Sequence, residues 1–137
     1  MIKIKLDEDA YMPIRAHDID AGLDLRSPKR QVVWSRSREV IDTGVHVEIP
    51  PGYAGLLRSK SGLMCNHGIL SDGTVDAGYS GSIRVCVINA SDEPYIVEKG
   101  DKISQLVVVP CRLDPVELVD EIASGDRGDN GFGSTGR

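Results

Sequence analysis

Residues 72–88, DGTVDAGYSGSIRVCVI, place a tight turn beside a β-type run. VDAGY sets Asp76 and Tyr79 around a turn with glycine in its third place, the pattern of a β-hairpin tip. IRVCVI at 83–88 then continues as strand, with Cys86 read as core. Similar runs lie on either side: IKIKL at 2–6, QVVW at 31–34, VHVEI at 45–49, YIVE at 95–98 and ISQLVVVP at 103–110. They are punctuated by Pro50-Pro51-Gly52, Asp72-Gly73, Ala77-Gly78, Ser91-Asp92-Glu93-Pro94 and Lys99-Gly100-Asp101. Many short strands with turn signals at this spacing predict an all-β, antiparallel sandwich or barrel. One stretch, about 61–67, has helical character, with Ser59 or Ser61 available as N-cap. The segment GILSDGTV before Asp76 reads as a loop, and 116–122 fits strand or helix.

The 137 residues give room for one domain, and no repeat or interdomain linker interrupts them. Sixteen Lys and Arg stand against 21 Asp and Glu, a net charge of −5. That balance argues against broad nucleic-acid binding, where a basic face is required. A few placed cations and backbone N–H groups can still hold a phosphate in an acidic protein. No apolar run approaches the roughly 20 residues of a membrane helix, and MIKIKLDEDA lacks the apolar stretch of a signal peptide. The expectation is a cytoplasmic protein. Cys65, Cys86 and Cys111 form no CxxC pair, and His17, His46 and His67 are scattered, so each histidine reads as surface or structural.

The end of the chain changes character. Residues 125–137, GDRGDNGFGSTGR, hold five glycines and the only phenylalanine, Phe132. Such a segment cannot form a core. It reads either as a mobile tail with an incidental aromatic or as a flap over a ligand. In the second case glycines allow close approach to phosphates, Arg127 supplies a charged fork, and Phe132 supplies a stacking plate. Stacking of a base on an aromatic ring is worth about 1–3 kcal/mol.

Five segments resemble, in order, the five motifs of the trimeric deoxyuridine triphosphatase (dUTPase) family: AGLDLRS (21–27), RSKSGL (58–63), DGTVDAGYSGSI (72–83), KGDKISQLV (99–107) and RGDNGFGSTG (127–136). The resemblance implies a single-domain antiparallel β-barrel or jelly-roll-like fold over 1–124, with one short helix. It makes 125–137 a flexible Gly-rich lid that closes over the active site of a neighbouring subunit. The implied activity is Mg²⁺-dependent hydrolysis of dUTP to dUMP and pyrophosphate by a homotrimer, which limits uracil in DNA and supplies dUMP for dTMP synthesis.

Residue by residue, Asp76 matches the family's general base. Carboxylates are weak bases at neutral pH, so such a group acts mainly by orienting water. Tyr79 matches the residue that leaves no room for a 2′-hydroxyl, a steric filter against UTP. Ser61 matches the phosphate-contacting serine. Lys60 and Arg58 are the two candidates for the family's arginine; a lysine there offers a point charge where arginine offers a fork. Gln105, inside an apolar strand, is on the wet face or reaches a ligand by pattern alone; the resemblance makes it a phosphate contact. It extends substrate binding to Ser59, Gly62, Gly73, Val75, Ile83, Arg127, Phe132, Gly133, Ser134 and Thr135. Asp24 matches an aspartate that nears the metal through water, with Mg²⁺ itself held by the triphosphate and no direct protein ligand.

Ser71-Asp72-Gly73 stands where some relatives have an asparagine that contacts uracil. A carboxylate there would accept from cytosine N4 and repel uracil O4, so either uracil selection falls to backbone groups or the protein discriminates less well. Two alternatives compete. A dCTP deaminase of the same fold uses a glutamate on the strand after the hairpin, but SIRVCVIN (82–89) has no carboxylate. A nucleotide-responsive regulator, as among phage relatives, would add a protein partner.

Overall fold

The structure, a computed structural model, describes residues 1–123, Gly125 and Gly128. Among these residues ten strands and one helix follow in order: β1 (Lys3–Leu6), β2 (Gly22–Arg26), β3 (Gln31–Val33), β4 (Arg38–Asp42), β5 (Val45–Glu48), β6 (Tyr53–Arg58), α1 (Ser61–His67), β7 (Ile69–Val75), β8 (Arg84–Asn89), β9 (Tyr95–Val97) and β10 (Lys102–Pro110). Six strands form one sheet in the order β2-β10-β6-β7-β8-β4, and β1-β5 and β3-β9 form two-stranded sheets. Every pairing is antiparallel. This is the all-β fold expected, a curled antiparallel sheet around one core.

Alternation builds that core. Val85 and Val87 of β8, Val45 and Val47 of β5, and Leu57 of β6 point inward, joined by Leu25, Ile41, Ile69, Ile83, Ile103 and Leu106. Two successive buried residues, Ile103 and Ser104, mark a break in the register of β10 against β2 between Lys102 and Ser104. Such a bulge turns Lys102 and Gln105, three apart, toward the same face.

Several expectations are corrected. GILSDGTV is not a loop: Ile69–Val75 is strand β7, and Asp72-Gly73 lies within it, paired with Arg58 and Leu57. A glycine fits there because the Leu57 side chain occupies the space over it, 3.2 Å from where a Cβ would stand. Neither serine caps α1. Lys60 is the N-cap and makes no side-chain cap bond, because the Ser59 hydroxyl is engaged by Ser71, donating to its carbonyl at 2.9 Å and accepting from its N–H at 2.8 Å. The helix closes on Gly68 at φ +66°. Residues 116–122 are neither strand nor helix: Val116, Leu118 and Ile122 are exposed, because the described residues offer them no surface to pack on. Cys86 is half-buried rather than core, since β8 alternates and its inward places belong to Val85 and Val87. Among the described residues, no helix is long and apolar enough to cross a membrane.

Candidate active site

The hairpin after β7 turns at Asp76–Tyr79. The Tyr79 N–H donates to the Asp76 carbonyl at 3.2 Å, and Gly78 at φ +86° takes the left-handed third position of a type II turn. Beyond the turn, the Tyr79 hydroxyl donates to the Ser82 carbonyl at 2.9 Å. The ring folds over Gly81, where any side chain would collide with it. The hairpin borders a pocket of about 220 Å³ that gathers Gly73, Val75, Asp76, Tyr79 and Ile83, five residues marked from sequence. Buried Leu57, Val75 and Ile83 make its wall apolar. The Asp76 carboxylate is exposed and has no side-chain partner among the described residues, which leaves both oxygens free to hold a water.

A second group forms around Asp24, whose side chain is only 3% exposed. Lys60 Nζ lies 2.5 Å from its Oδ1 and Lys102 Nζ 2.6 Å from its Oδ2. Burial alone would raise the Asp24 pKa; hydrogen bonds and charge from Lys102 and Lys60 outweigh it and hold the carboxyl below its ordinary value. Two cations on one anion leave a net positive charge, suited to an anionic ligand. Beside them, Gln105 Nε2 donates to the Ser59 carbonyl at 3.2 Å. Its side chain lies over Gly22, where a Cβ would overlap the Gln105 carboxamide. Arg58 is exposed and 3.4 Å from Asp72, and Ser61 and Gly62 form the exposed first turn of α1.

Register relates the two groups. Asp24, Gln105, Arg58, Asp72 and Cys86 are paired in succession across β2, β10, β6, β7 and β8, and directly paired residues share a face. Three strand spacings therefore separate Asp24 from Asp72, about 14 Å, and Asp76 lies four residues farther along. Within one chain the two groups stay apart. Arg127, Phe132, Gly133, Ser134 and Thr135 lie outside the described residues. Sequence reasoning missed Lys102, Arg84 and Cys86. Lys102 sits in KGDKISQLV, already singled out for Gln105, but only the bulge brings it to Asp24. Arg84 and Cys86 line the pocket from β8, on the face that strict alternation assigns to them.

The dUTPase family model matches residues 8–136. The chain belongs to the dUTPase family. Similar proteins named deoxyuridine 5′-triphosphate nucleotidohydrolase include that of Clostridium acetobutylicum, 43% identical over 96% of this chain and 93% of its own length. That of Clostridium kluyveri is 40% identical over 96% and 94%. Among solved structures, the dUTPase of Staphylococcus bacteriophage 80alpha with dUPNHPP superposes with a TM-score of 0.93, at 33% identity over 100% of this chain and 99% of that one. It is described as belonging to phage dUTPases that control transfer of virulence genes by a G protein-like mechanism. A variant dUTPase from phage phi11 of S. aureus, at TM-score 0.83 and 31% identity over 90% of this chain and 99% of that one, is described as coordinating a structural Mg(II) ion.

Proposed function

We propose that this dUTPase hydrolyses dUTP to dUMP and pyrophosphate by attack of water on the α-phosphorus. The observation that carries the reading is Asp76, exposed and without a side-chain partner among the described residues, at the rim of an apolar pocket walled by Tyr79 and Ile83. Gly73, Val75 and Ile83 receive the base, and the Tyr79 ring closes the pocket against a 2′-hydroxyl. Asp76 orients the water and accepts its proton. Lys60 and Gln105, joined by Ser61 and Gly62, hold phosphate oxygens, so the chemistry is mainly positioning and electrostatics. Ser59 acts through its bonds to Ser71 and Gln105, and Arg58 through its pair with Asp72.

Among the described residues no three His, Cys, Asp or Glu side chains gather into a metal-binding group. Asp24 is a single carboxylate with a lysine on each oxygen, which suits a contact through water with an ion carried by the triphosphate. Mg²⁺ held by the triphosphate near Asp24 would neutralise charge and make pyrophosphate a better leaving group.

The proposal extends to a homotrimer with shared sites, in which residues 1–124 form the body and 125–137, with Arg127, Phe132, Gly133, Ser134 and Thr135, a lid from a neighbouring subunit. Two observations support assembly: the wide separation of the hairpin pocket from the lysine pair within one chain, and the bare Val116, Leu118 and Ile122, which a second copy would cover. The cytoplasm is the proposed location. Likeness to the phage 80alpha protein favours one second reading, a regulatory partner in addition to catalysis. The deciding experiment measures pyrophosphate release from dUTP, UTP, dCTP and dTTP, with Asp76→Asn as control. Turnover of dUTP alone supports the reading, ammonia from dCTP supports a deaminase instead, and dUTP binding without turnover supports a regulator.

A further inference from the structure

His46, on β5, lies under the hairpin with only 19% of its side chain exposed. Its Nδ1 is 2.8 Å from the Ser80 carbonyl oxygen, and its Nε2 is 3.1 Å from both oxygens of the Asp7 carboxylate. Both neighbours are acceptors. A neutral imidazole has one N–H and can serve only one of them, leaving a lone pair facing oxygen at the other; the imidazolium serves both. The Ser80 carbonyl, and then Asp7, raise the His46 pKa above its ordinary value, against burial and the charge of Lys5. The other charged or titratable groups nearby are largely committed. Lys3 pairs with Glu48 at 3.0 Å, Asp42 faces Arg84 and the Ser82 hydroxyl and also feels the His46 charge, and the Tyr79 hydroxyl is on Ser82.

The residues after the turn are fastened to the β4–β5 connection at several points. The Ile83 N–H donates to the Val45 carbonyl at 2.8 Å, the Thr43 hydroxyl donates to the Ile83 carbonyl at 2.8 Å, and the Ser82 hydroxyl donates to Asp42. All three hold residues 82 and 83. Among the described residues only His46 holds Ser80 through a side chain, next to Tyr79, and of these groups only an imidazole ordinarily changes charge between pH 5 and 8. A cavity of about 350 Å³, lined by His46, Val47, Gly78, Tyr79 and Ser80, adjoins the same stretch and gives it room to move.

We propose that His46 is a positioning residue: as imidazolium it pins the Ser80 carbonyl and so fixes Tyr79 against a 2′-hydroxyl, and rising pH releases the pin. The inference rests on the dUTPase reading with Tyr79 as the sugar-facing wall. The sign follows from the raised pKa: below it both ring nitrogens donate, and as pH rises through it the one remaining N–H goes to the charged Asp7 carboxylate, the stronger acceptor, so the bond to Ser80 is lost.

The test is the ratio of kcat/KM for dUTP to that for UTP from pH 6 to pH 8.5, in which titration of the shared base and triphosphate cancels. It is run on the wild type, His46→Asn and His46→Gln. The Asn amide nitrogen stands near the place of Nδ1 and can hold Ser80 at any pH; the Gln amide reaches the place of Nε2 and leaves Ser80 free. The wild-type ratio should fall about fivefold over this range, the effect of one hydrogen bond, while His46→Asn stays flat and high and His46→Gln flat and low. In NMR titrations of the wild type, the Ser80 and Tyr79 amides should shift with the His46 ring at a common midpoint above 6.5. A pH-independent wild-type ratio, or a His46→Gln protein with the wild-type profile, overturns the proposal. A wild type without dUTP turnover at any pH defeats the dUTPase reading itself; the NMR midpoint then still decides whether His46 holds Ser80, and an Ser80 amide that ignores the ring titration refutes the pin.

Discussion

Leu57, Val75 and Ile83 wall the hairpin pocket with buried apolar side chains, whereas Asp24, Lys60 and Lys102 bring three charges together at the other end of the same strand row. The first region selects by volume and backbone path: a glycine at positive φ turns the hairpin, and a tyrosine folded over Gly81 closes it. The second selects by charge, with one buried anion keeping two ammonium groups in place. A base and a sugar differ from their competitors by shape and by single polar atoms; a triphosphate differs from solvent by charge. The two regions should therefore answer differently to salt, to side-chain size and to loss of charge.

The largest difference is expected from Asp76→Asn. The amide keeps the size of the carboxylate and the turn that Tyr79 closes on its carbonyl, but it cannot take a proton from water. Turnover of dUTP should fall about 10³-fold, with KM changed far less, as read by pyrophosphate release. A matching rise in KM would make Asp76 a binding residue and erase the division between the two regions. Next in size is Lys60→Ala, which acts on the charged region alone. Loss of a charge-assisted hydrogen bond to phosphate should raise KM about 10- to 100-fold, and the remaining dependence of KM on ionic strength should flatten. Lys60→Arg should restore most of the affinity. An unchanged salt slope in Lys60→Ala would mean that Lys60 serves Asp24 only.

The pocket was far more legible in the sequence than the charged cluster. DAGY announces a turn through local chemistry, so Asp76, Gly78 and Tyr79 can be placed without knowing any partner strand. Asp24, Lys60 and Lys102 come from three distant segments, and their meeting depends on the β2-β10 register and on a bulge that no local pattern announces. Strand β7 was misread for a related reason. Ser71, Asp72 and Gly73 are turn formers by composition, yet Gly73 is placed by the Leu57 side chain across the sheet, a tertiary demand that overrides propensity. Cys86 went to the core because a run of apolar residues hides its alternation; outward-facing Cys86 and Arg84 then became part of the pocket. Val116–Ile122 has strand-like residues and nothing among the described residues to pair with, so its pattern is ambiguous and its conformation irregular.

Gly22→Ala gives a smaller and more selective test of the charged region. The added methyl meets the Gln105 amide, which can swing aside, and the Gln105 Cβ at 3.0 Å, which must give by a few tenths of an ångström, so the fold should survive at a modest cost. Displacing Gln105 from Ser59 and from a bound phosphate should raise KM about fivefold, with the melting temperature lowered by only a few degrees. A large loss of stability would show that Gly22 packs the sheet rather than seating the glutamine.

The smallest expected effect concerns the foot of the hairpin, where Asp42 is the counterpart of Asp24. Burial would raise the Asp42 pKa, but the Ser82 hydroxyl, the Gly44 N–H, Arg84 and His46 together lower it. Unlike Asp24 it is half-exposed, with 51% of its side chain open and Arg84 at 3.6 Å, so solvent screens most of the gain. A depressed carboxyl stabilises the fold above its unfolded pKa, near 3.8, and that contribution is lost as pH falls through the lower folded value. Asp42→Asn keeps an oxygen for Gly44 and Ser82 and removes the charge. Its melting temperature should lie about 2 °C below the wild type at pH 7, and the gap should close below pH 3.8 as the wild type loses the same charge. A gap that persists at low pH would assign the effect to the hydrogen bonds instead, and would place the hairpin foot wholly in the shape-built region.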